Sequence, residues 1–322
     1  MSNIGQPIVS VCCITYNHEK FISDAIDGFL AQKTDFPIEI LIHEDASTDG
    51  TANIIRRYQA EHPELINVIY QIDNQFSRGV NYVLKNVLGM AKGKYIALCE
   101  GDDYWIDPLK LQKQVDFLEM DLGCTICFHQ TLRKYEDQEK DPYFLMNFSG
   151  AQIFKKEHLY TACIIQTCSV LFRRIPMEAY FENSAKLRIG DWPLFVYLAQ
   201  FGDIGYLDEI MSVYRIHSQG LWNSFGQKGA LEVEAEALEF FKNSGLFEFK
   251  EELYDSLFRR YYKLALLHHQ ANEDKIADEY LLKCFSLLPR ASIKFIRFFI
   301  SLFVQIKLPK LYEYRERMRR QQ

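Results

Sequence analysis

Apolar and polar positions alternate along the first two hundred residues in a way that prescribes strands and helices in turn. Ile8–Ile14 (IVSVCCI) is short, apolar and rich in β-branched residues, which reads as a buried strand. Phe21, Ile22, Ala25, Ile26, Phe29 and Leu30 then recur at helical spacing over residues 18–32, with Asn17 placed to cap that helix. The same alternation repeats. Ile38–Ile42 is a strand, and Ile54, Ile55 and Tyr58 mark a helix whose start Ser, Thr and Asp can cap. Ile66–Tyr70 is a strand, and Val80, Val83, Leu84, Val87 and Leu88 line a helix. Tyr95–Cys99 is a fourth strand. Such an order predicts an α/β fold with a mostly parallel sheet flanked by helices. Asp107-Pro108 opens another helix, Cys124–Phe128 and Cys168–Arg173 read as strands, and Asp191 sits at a cap position before Trp192, Phe195, Leu198 and Ala199. Residues 131–160 are polar and poorly periodic, and read as an excursion or loop. Ile204–Leu207 and Met211–Arg215 are two more strands.

From about residue 228 the period becomes helical throughout. Residues 250–289 read as one helix–turn–helix pair, a single unit and not a repeat array. Two regions are therefore expected, 1–225 as an α/β domain and 226–322 as a helical C-terminal region. Ser292–Leu308 is strongly apolar and flanked by Lys and Arg. A helix lying in a membrane interface and a helix docked on its own domain with a solvated basic tail both fit it.

Strand ends carry the chemistry. In parallel sheets those ends share one edge, where ligands bind. Thr15 and Asn17 follow the first strand, Glu44 and Asp45 the second, and Glu100-Gly101-Asp102-Asp103 the fourth. Carboxylates are hard ligands, suited to Mg²⁺ or Mn²⁺, and a cation there could hold the phosphates of a nucleotide. An Asp-rich turn alone is also an ordinary structural device. The dinucleotide fingerprint of three glycines is absent after the first strand, which argues against an NAD or FAD enzyme.

Charge adds an asymmetry. The whole chain carries −6, which excludes nucleic-acid binding by charge. Within it, residues 292–322 hold Lys294, Arg297, Lys307, Lys310, Arg315, Arg317, Arg319 and Arg320 against Glu313 and Glu316. A basic tail on an acidic body suits an anionic surface. The eight cysteines lie mostly in apolar runs, and Cys124-x-x-Cys127 is half of a metal motif with no second pair. Together with the absence of a basic region before an apolar stretch at the N-terminus, this leads to an expectation of a reducing cytoplasm, with peripheral contact at the inner face of the membrane.

Four stretches now stand in register: SVCCITYNHEKFISDAIDGFLAQ, IEILIHEDASTDGTANII, AKGKYIALCEGDDYWIDPLKLQKQVDFLE and GDWPL. Over about residues 7–200 they resemble the family 2 glycosyltransferases of the GT-A fold, of the bacterial envelope-polysaccharide type. The resemblance implies an inverting transferase. It would take a nucleotide-sugar, most often a UDP-sugar, and pass the sugar to a saccharide or lipid-linked acceptor with Mn²⁺ or Mg²⁺. It implies that Thr15 and Asn17 lie against the nucleotide and that Asp45 meets the base. Arg78 would contact phosphate and Asp102 the ribose. Asp103 would ligate the metal, with His217 near it, and Asp191 would be the general base. Two departures stand out: Glu44-Asp45 replaces the usual pair of aspartates, and Gly190-Asp191 replaces Glu-Asp. A nucleotidyltransferase making nucleotide-sugars and a non-catalytic carbohydrate-binding protein are the competing readings. The first lacks its Gly-rich loop with a basic residue near the N-terminus, and the second leaves the retained acids unexplained.

Overall fold

The computed structural model describes residues 6–144, 148–184, 187–247, 251–290, 292–308 and 312. The apolar runs become strands because each buries a face on either side of a sheet, and the amphipathic segments between them become the covering helices. In order these are β1 (Val9–Thr15), α1 (Ile22–Leu30), β2 (Ile38–Glu44), α2 (Thr51–Glu61), β3 (Ile66–Tyr70), α3 (Val80–Met90) and β4 (Tyr95–Leu98). There follow β5 (Tyr104–Trp105), α4 (Lys110–Met120), β6 (Cys124–Tyr135), β7 (Tyr143–Phe144), β8 (Gln152–Phe154) and α5 (Lys156–Thr161). Then come β9 (Leu171–Arg173), α6 (Glu178–Ser184), α7 (Asp191–Leu198) and β10 (Asp203–Ile216).

One sheet runs in the order β3-β2-β1-β4-β9-β6-β10-β5, with β7 beside β6 and β8 beside β10. β1 to β4 pair in parallel, and β6 and β10 run parallel to each other and in the same sense as β4. The short strands β5, β7, β8 and β9 run against them. The fold is therefore α/β, a curled sheet flanked by helices. Its core gathers Val9, Val11 and Cys13 of β1, Ile40 and Ile42 of β2, and Ile22, Ile26 and Phe29 of α1, all buried. Polar groups are sealed beside them: Lys110 donates to Gln114 Oε1 at 2.7 Å and lies 4.1 Å over the Trp105 ring, with Lys110 and Gln114 both fully buried. Burial pulls the Lys110 pKa down to about 8.

Several local expectations are revised. Residues 131–160 are not a loop: β6 continues to Tyr135, and β7, β8 and α5 follow. Pairing with β10 supplies the backbone bonds that this polar sequence does not advertise. The two strands expected over 204–215 are one, bent by irregularities near Leu207 and Ile210. Asn17 does not cap α1, whose cap position is Phe21; it takes a left-handed φ of 56° instead. Helix α4 begins at Lys110, although Asp107 Oδ1 still accepts from Leu109 N at 2.8 Å.

The chain divides into units 1–220 and 221–322. The second is helical: α8 (Leu221–Asn243), kinked at Gly226, then α9 (Glu251–Gln270), α10 (Asp274–Leu287) and α11 (Lys294–Lys307). The α9–α10 pair matches the helix–turn–helix read from periodicity. Helix α11 buries Phe295, Leu302 and Ile306, with Phe295 4.6 Å from Phe258 of α9. It leaves Ile296, Ile300 and Phe303 exposed. Of the basic tail, residues 313–322 lie outside the described residues. No described helix is long and apolar enough to cross a membrane.

Candidate active site

The rim of the sheet is assembled from the ends of β1, β2 and β4. Gly101 N donates to Ile14 O at 2.9 Å, which folds the acidic turn onto the end of β1. A side chain at Gly101 would press into Thr15 Oγ1 at 2.7 Å, so that close approach requires glycine. Asp45 N donates to Thr15 O at 3.0 Å, which joins the second strand end to the same place.

Asp102 and Asp103 are fixed from the far side of the sheet. Asp103 is buried, and its Oδ1 accepts from Arg215 N at 2.8 Å. Arg215 also donates to Asp102 O at 3.0 Å and to Glu136 Oε1 at 3.0 Å, pairs with Asp24, and lies 4.2 Å over the Tyr104 ring. Asp102 Oδ2 stands 3.0 Å from His217 Nε2 and 3.6 Å from His18 Nε2. The ligand oxygens of Glu100, Asp102 and Asp103 lie within 4.8 Å of one another.

Their ionisation follows from that crowding. Burial pushes the Asp102 carboxyl up, yet His18 and the bond to His217 outweigh it and hold it below its ordinary value. Asp103 is pushed well up by burial and by the neighbouring Asp102. Glu100 is pushed well up by burial and by the charges of Asp102, Asp103 and Asp191. Asp191, the first residue of α7, is raised by burial; its Oδ1 accepts from Trp192 N at 2.7 Å. The Asp191 charge is the last of the causes that raise Glu100.

Four buried polar atoms here lack a hydrogen-bond partner among the described residues: Thr15 Oγ1, His18 Nδ1, Asp102 Oδ1 and Asp103 Oδ2. Buried polar atoms are normally paired, so a cluster of unpaired ones asks for a ligand. Clustered oxygens with raised carboxyl pKa values fit a hard divalent cation, which would favour their charged forms.

The other sequence-derived candidates lie differently. Asp45 is buried, and both oxygens are already used: Oδ1 accepts from Gln75 N at 2.7 Å and Oδ2 from Phe76 N at 2.9 Å. Asn17 links two loops, accepting from Thr48 N at 2.8 Å and donating its own N to Ser47 Oγ at 3.0 Å. Glu19 N to Asp49 Oδ2 at 3.1 Å and Gly50 N to Glu19 Oε2 at 3.0 Å complete that staple. Arg78 is exposed and donates to Gln75 Oε1 at 3.3 Å. Two residues of the rim were missing from the sequence-derived set. His18 could have been found as the polar residue next to Asn17, whereas nothing in a single sequence distinguishes Arg215.

Comparison with known proteins gives a consistent picture. The family model described as Glycosyl transferase family 2 matches residues 10–179. An uncharacterized protein of Mycobacterium tuberculosis is 44% identical over 216 residues, 67% of this chain. The match spans 61% of that relative's own length. A putative teichuronic acid biosynthesis glycosyltransferase, TuaG of Bacillus subtilis, is 34% identical over 123 residues, covering 38% of this chain and 46% of TuaG. Among solved structures, residues 1–349 of S. aureus TarS in complex with UDP-GlcNAc align with a TM-score of 0.65 at 19% identity. That alignment covers 97% of this chain and 91% of the TarS chain, and shows the GT-A fold.

Proposed function

The chain belongs to glycosyl transferase family 2, and from that premise we propose that it transfers a sugar from a UDP-sugar to a hydroxyl of a saccharide or lipid-linked acceptor, with inversion. Surface polysaccharide biosynthesis is the setting that the likeness to TuaG supports. The observation that carries the proposal is the convergence of unpaired Thr15, His18, Asp102 and Asp103 atoms on one acidic rim.

Each residue has a part in this reading. Thr15 and Asp102 face the ribose and phosphates of the donor. Asp45 accepts from the base; a carboxylate has about four lone-pair sites, so the two bonds to Gln75 and Phe76 leave room for more. Asn17 shapes the pocket through the loop staple, and Arg78 lends charge to the phosphates. Asp103, with Asp102, Glu100 and His217 beside it, would hold Mn²⁺ or Mg²⁺, which supplies stabilisation of the departing diphosphate's charge. Asp191 takes the proton of the acceptor hydroxyl as its oxygen attacks the anomeric carbon. The carbon–oxygen bond to the diphosphate breaks, and its electrons leave with the UDP.

The exposed face of α11, with Arg297 along it and Lys307 at its end paired to Asp278, would rest on an anionic bilayer at the inner face of the membrane. The chain should sediment with vesicles containing phosphatidylglycerol and not with phosphatidylcholine alone, and deletion of residues 292–322 should release it.

The decisive experiment screens nucleotide-sugars by thermal shift and by Mn²⁺-dependent hydrolysis. UDP and one UDP-sugar should stabilise the chain, and a chelator should abolish the effect. A chain indifferent to every nucleoside diphosphate, with or without metal, is not a glycosyltransferase.

A further inference from the structure

Strand β6 leaves the core as a polar ribbon, and Arg133 stands on it in an unusual position. In register it faces Tyr214 of β10 on one side and Tyr143 of β7 on the other. Directly paired residues share a face of the sheet, and the contacts agree: the guanidinium lies 5.1 Å from the Tyr214 ring and 5.8 Å from the Tyr143 ring. Among the described residues its hydrogen bonds go only to neutral groups, Gln166 Oε1 at 2.9 Å and the Tyr143 hydroxyl at 3.3 Å. Its buried Nε has no partner among them.

Neighbouring cations are treated otherwise. Lys134 and Arg215 both pair with Glu136. Arg133 makes no ion pair with any described carboxylate. A half-buried cation held by neutral ligands is costly unless an anion completes it. The surroundings say where that anion would sit. Two residues back on the same face, Thr131 Oγ1 and Ser212 Oγ lie 3.3 Å apart, and Ser212 Oγ is 3.4 Å from Cys168 Sγ. Tyr214 directly precedes Arg215, whose N donates to Asp103 Oδ1 at 2.8 Å, so the ledge adjoins the acidic rim. Tyr143 is 38% exposed and its ring lies 6.0 Å from that of Tyr135, so the ledge offers aromatic faces beside the cation.

Aromatic faces pack against the apolar side of a sugar ring, and arginine recognises carboxylate or phosphate through its fork of donors. We propose that Arg133, with Tyr143, Tyr214 and Gln166, forms an acceptor subsite for a saccharide bearing a carboxylate or phosphate group. The proposal rests on the glycosyltransferase reading above and names the class of acceptor. The donor's diphosphate is the other source of the same chemistry.

The test titrates the full chain with glucose 6-phosphate, glucuronate and glucose, each with and without saturating UDP and Mn²⁺. Both charged sugars should bind alongside UDP, and glucose about ten-fold more weakly or worse. Arg133→Gln should bring the charged sugars to the level of glucose while UDP affinity stays unchanged, and Arg133→Lys should recover part of the loss. Retained UDP binding certifies that each variant is folded, and Gln166→Ala is a milder probe of the same ledge. The proposal is overturned if the charged sugars bind no better than glucose or bind the Gln variant equally. It is also overturned if glucose 6-phosphate competes with UDP and Arg133→Gln weakens UDP, which would assign Arg133 to the donor. Failure of the wild-type chain to bind UDP strikes the glycosyltransferase reading instead. The titrations without UDP then still decide whether Arg133 holds an anionic sugar.

Discussion

The ends of β2 and β4 carry acids in opposite circumstances. Asp45, after β2, is buried with both oxygens accepting backbone amides from residues 75 and 76. After β4, Asp103 is equally out of water and Asp102 is partly exposed, yet among the described residues each retains a buried oxygen with no partner. One region is a finished structural joint and the other is incomplete. A buried carboxylate with both oxygens paired contributes to stability, whereas crowded carboxylates that each leave an oxygen unpaired contribute less or oppose it. The β4 end thus gives up stability to keep a ligand position open, a common property of functional sites.

The largest effect expected lies on the incomplete side. Asp191→Asn should keep UDP affinity and lower transfer by about 10²–10⁴-fold, the usual contribution of a positioned base. Because burial raises the Asp191 pKa, the proton-accepting form is lost as pH falls, from a point above its ordinary value. Turnover at saturating donor and Mn²⁺ should therefore drop with acidification, and Asp191→Asn should flatten that limb of the profile. An acid limb that persists in the variant would remove Asp191 from the base role.

Asp103→Asn comes next and tests the contrast itself. Mn²⁺-dependent UDP affinity should fall by roughly 10–100-fold, as for other losses at metal sites. The unliganded chain should become more resistant to urea, because one of three crowded acids is neutralised. A less stable variant would mean that the Asp103 charge is already compensated, and the distinction between the two strand ends would collapse.

Much of this was legible in the sequence, for a physical reason. Alternating strands and helices declare themselves through local periodicity, and parallel order then carries Thr15, Asp45 and Asp102 to one edge without further information. What escaped depends on partners far away along the chain. Strand β7 is two residues long, Tyr143–Phe144, and exists because Leu132 and Arg133 pair with it. Arg215 looks like any polar residue in a strand. Its role appears only when Asp24, Asp102, Asp103 and Glu136, distant in sequence, meet around it. Asn17 was legible as a polar loop residue, but no periodicity reveals that its bonds go to residues 47 and 48.

On the finished side, Asp45→Ala should have the opposite effect on stability from Asp103→Asn. Two charge-assisted bonds to Gln75 N and Phe76 N are lost, each worth roughly 1.5–3 kcal/mol, less whatever water recovers. Urea denaturation should show the loss, and UDP affinity should fall with it because the base pocket loses its acceptor. Unchanged stability would show that the loop at 74–78 holds its place without the carboxylate.

The smallest effect separates the acid from the loop that carries it. Glu19 accepts from Gly50 N at 3.0 Å in an exposed setting, where a hydrogen bond contributes about 0.5–1.5 kcal/mol. Glu19→Ala leaves Asp45, Thr15 and the acidic rim untouched and loosens only the staple between residues 16–21 and 45–50. UDP affinity measured by calorimetry should fall by a factor of about 2–10, the same free energy expressed as binding. The rate of transfer at saturating donor should not move, since no group near the anomeric carbon is altered. If Glu19→Ala instead matched Asp45→Ala in UDP affinity, the position of the loop would outweigh the carboxylate in setting the pocket. The β2 end would then be a hinge held shut by the staple, with Asp45 a part of its latch.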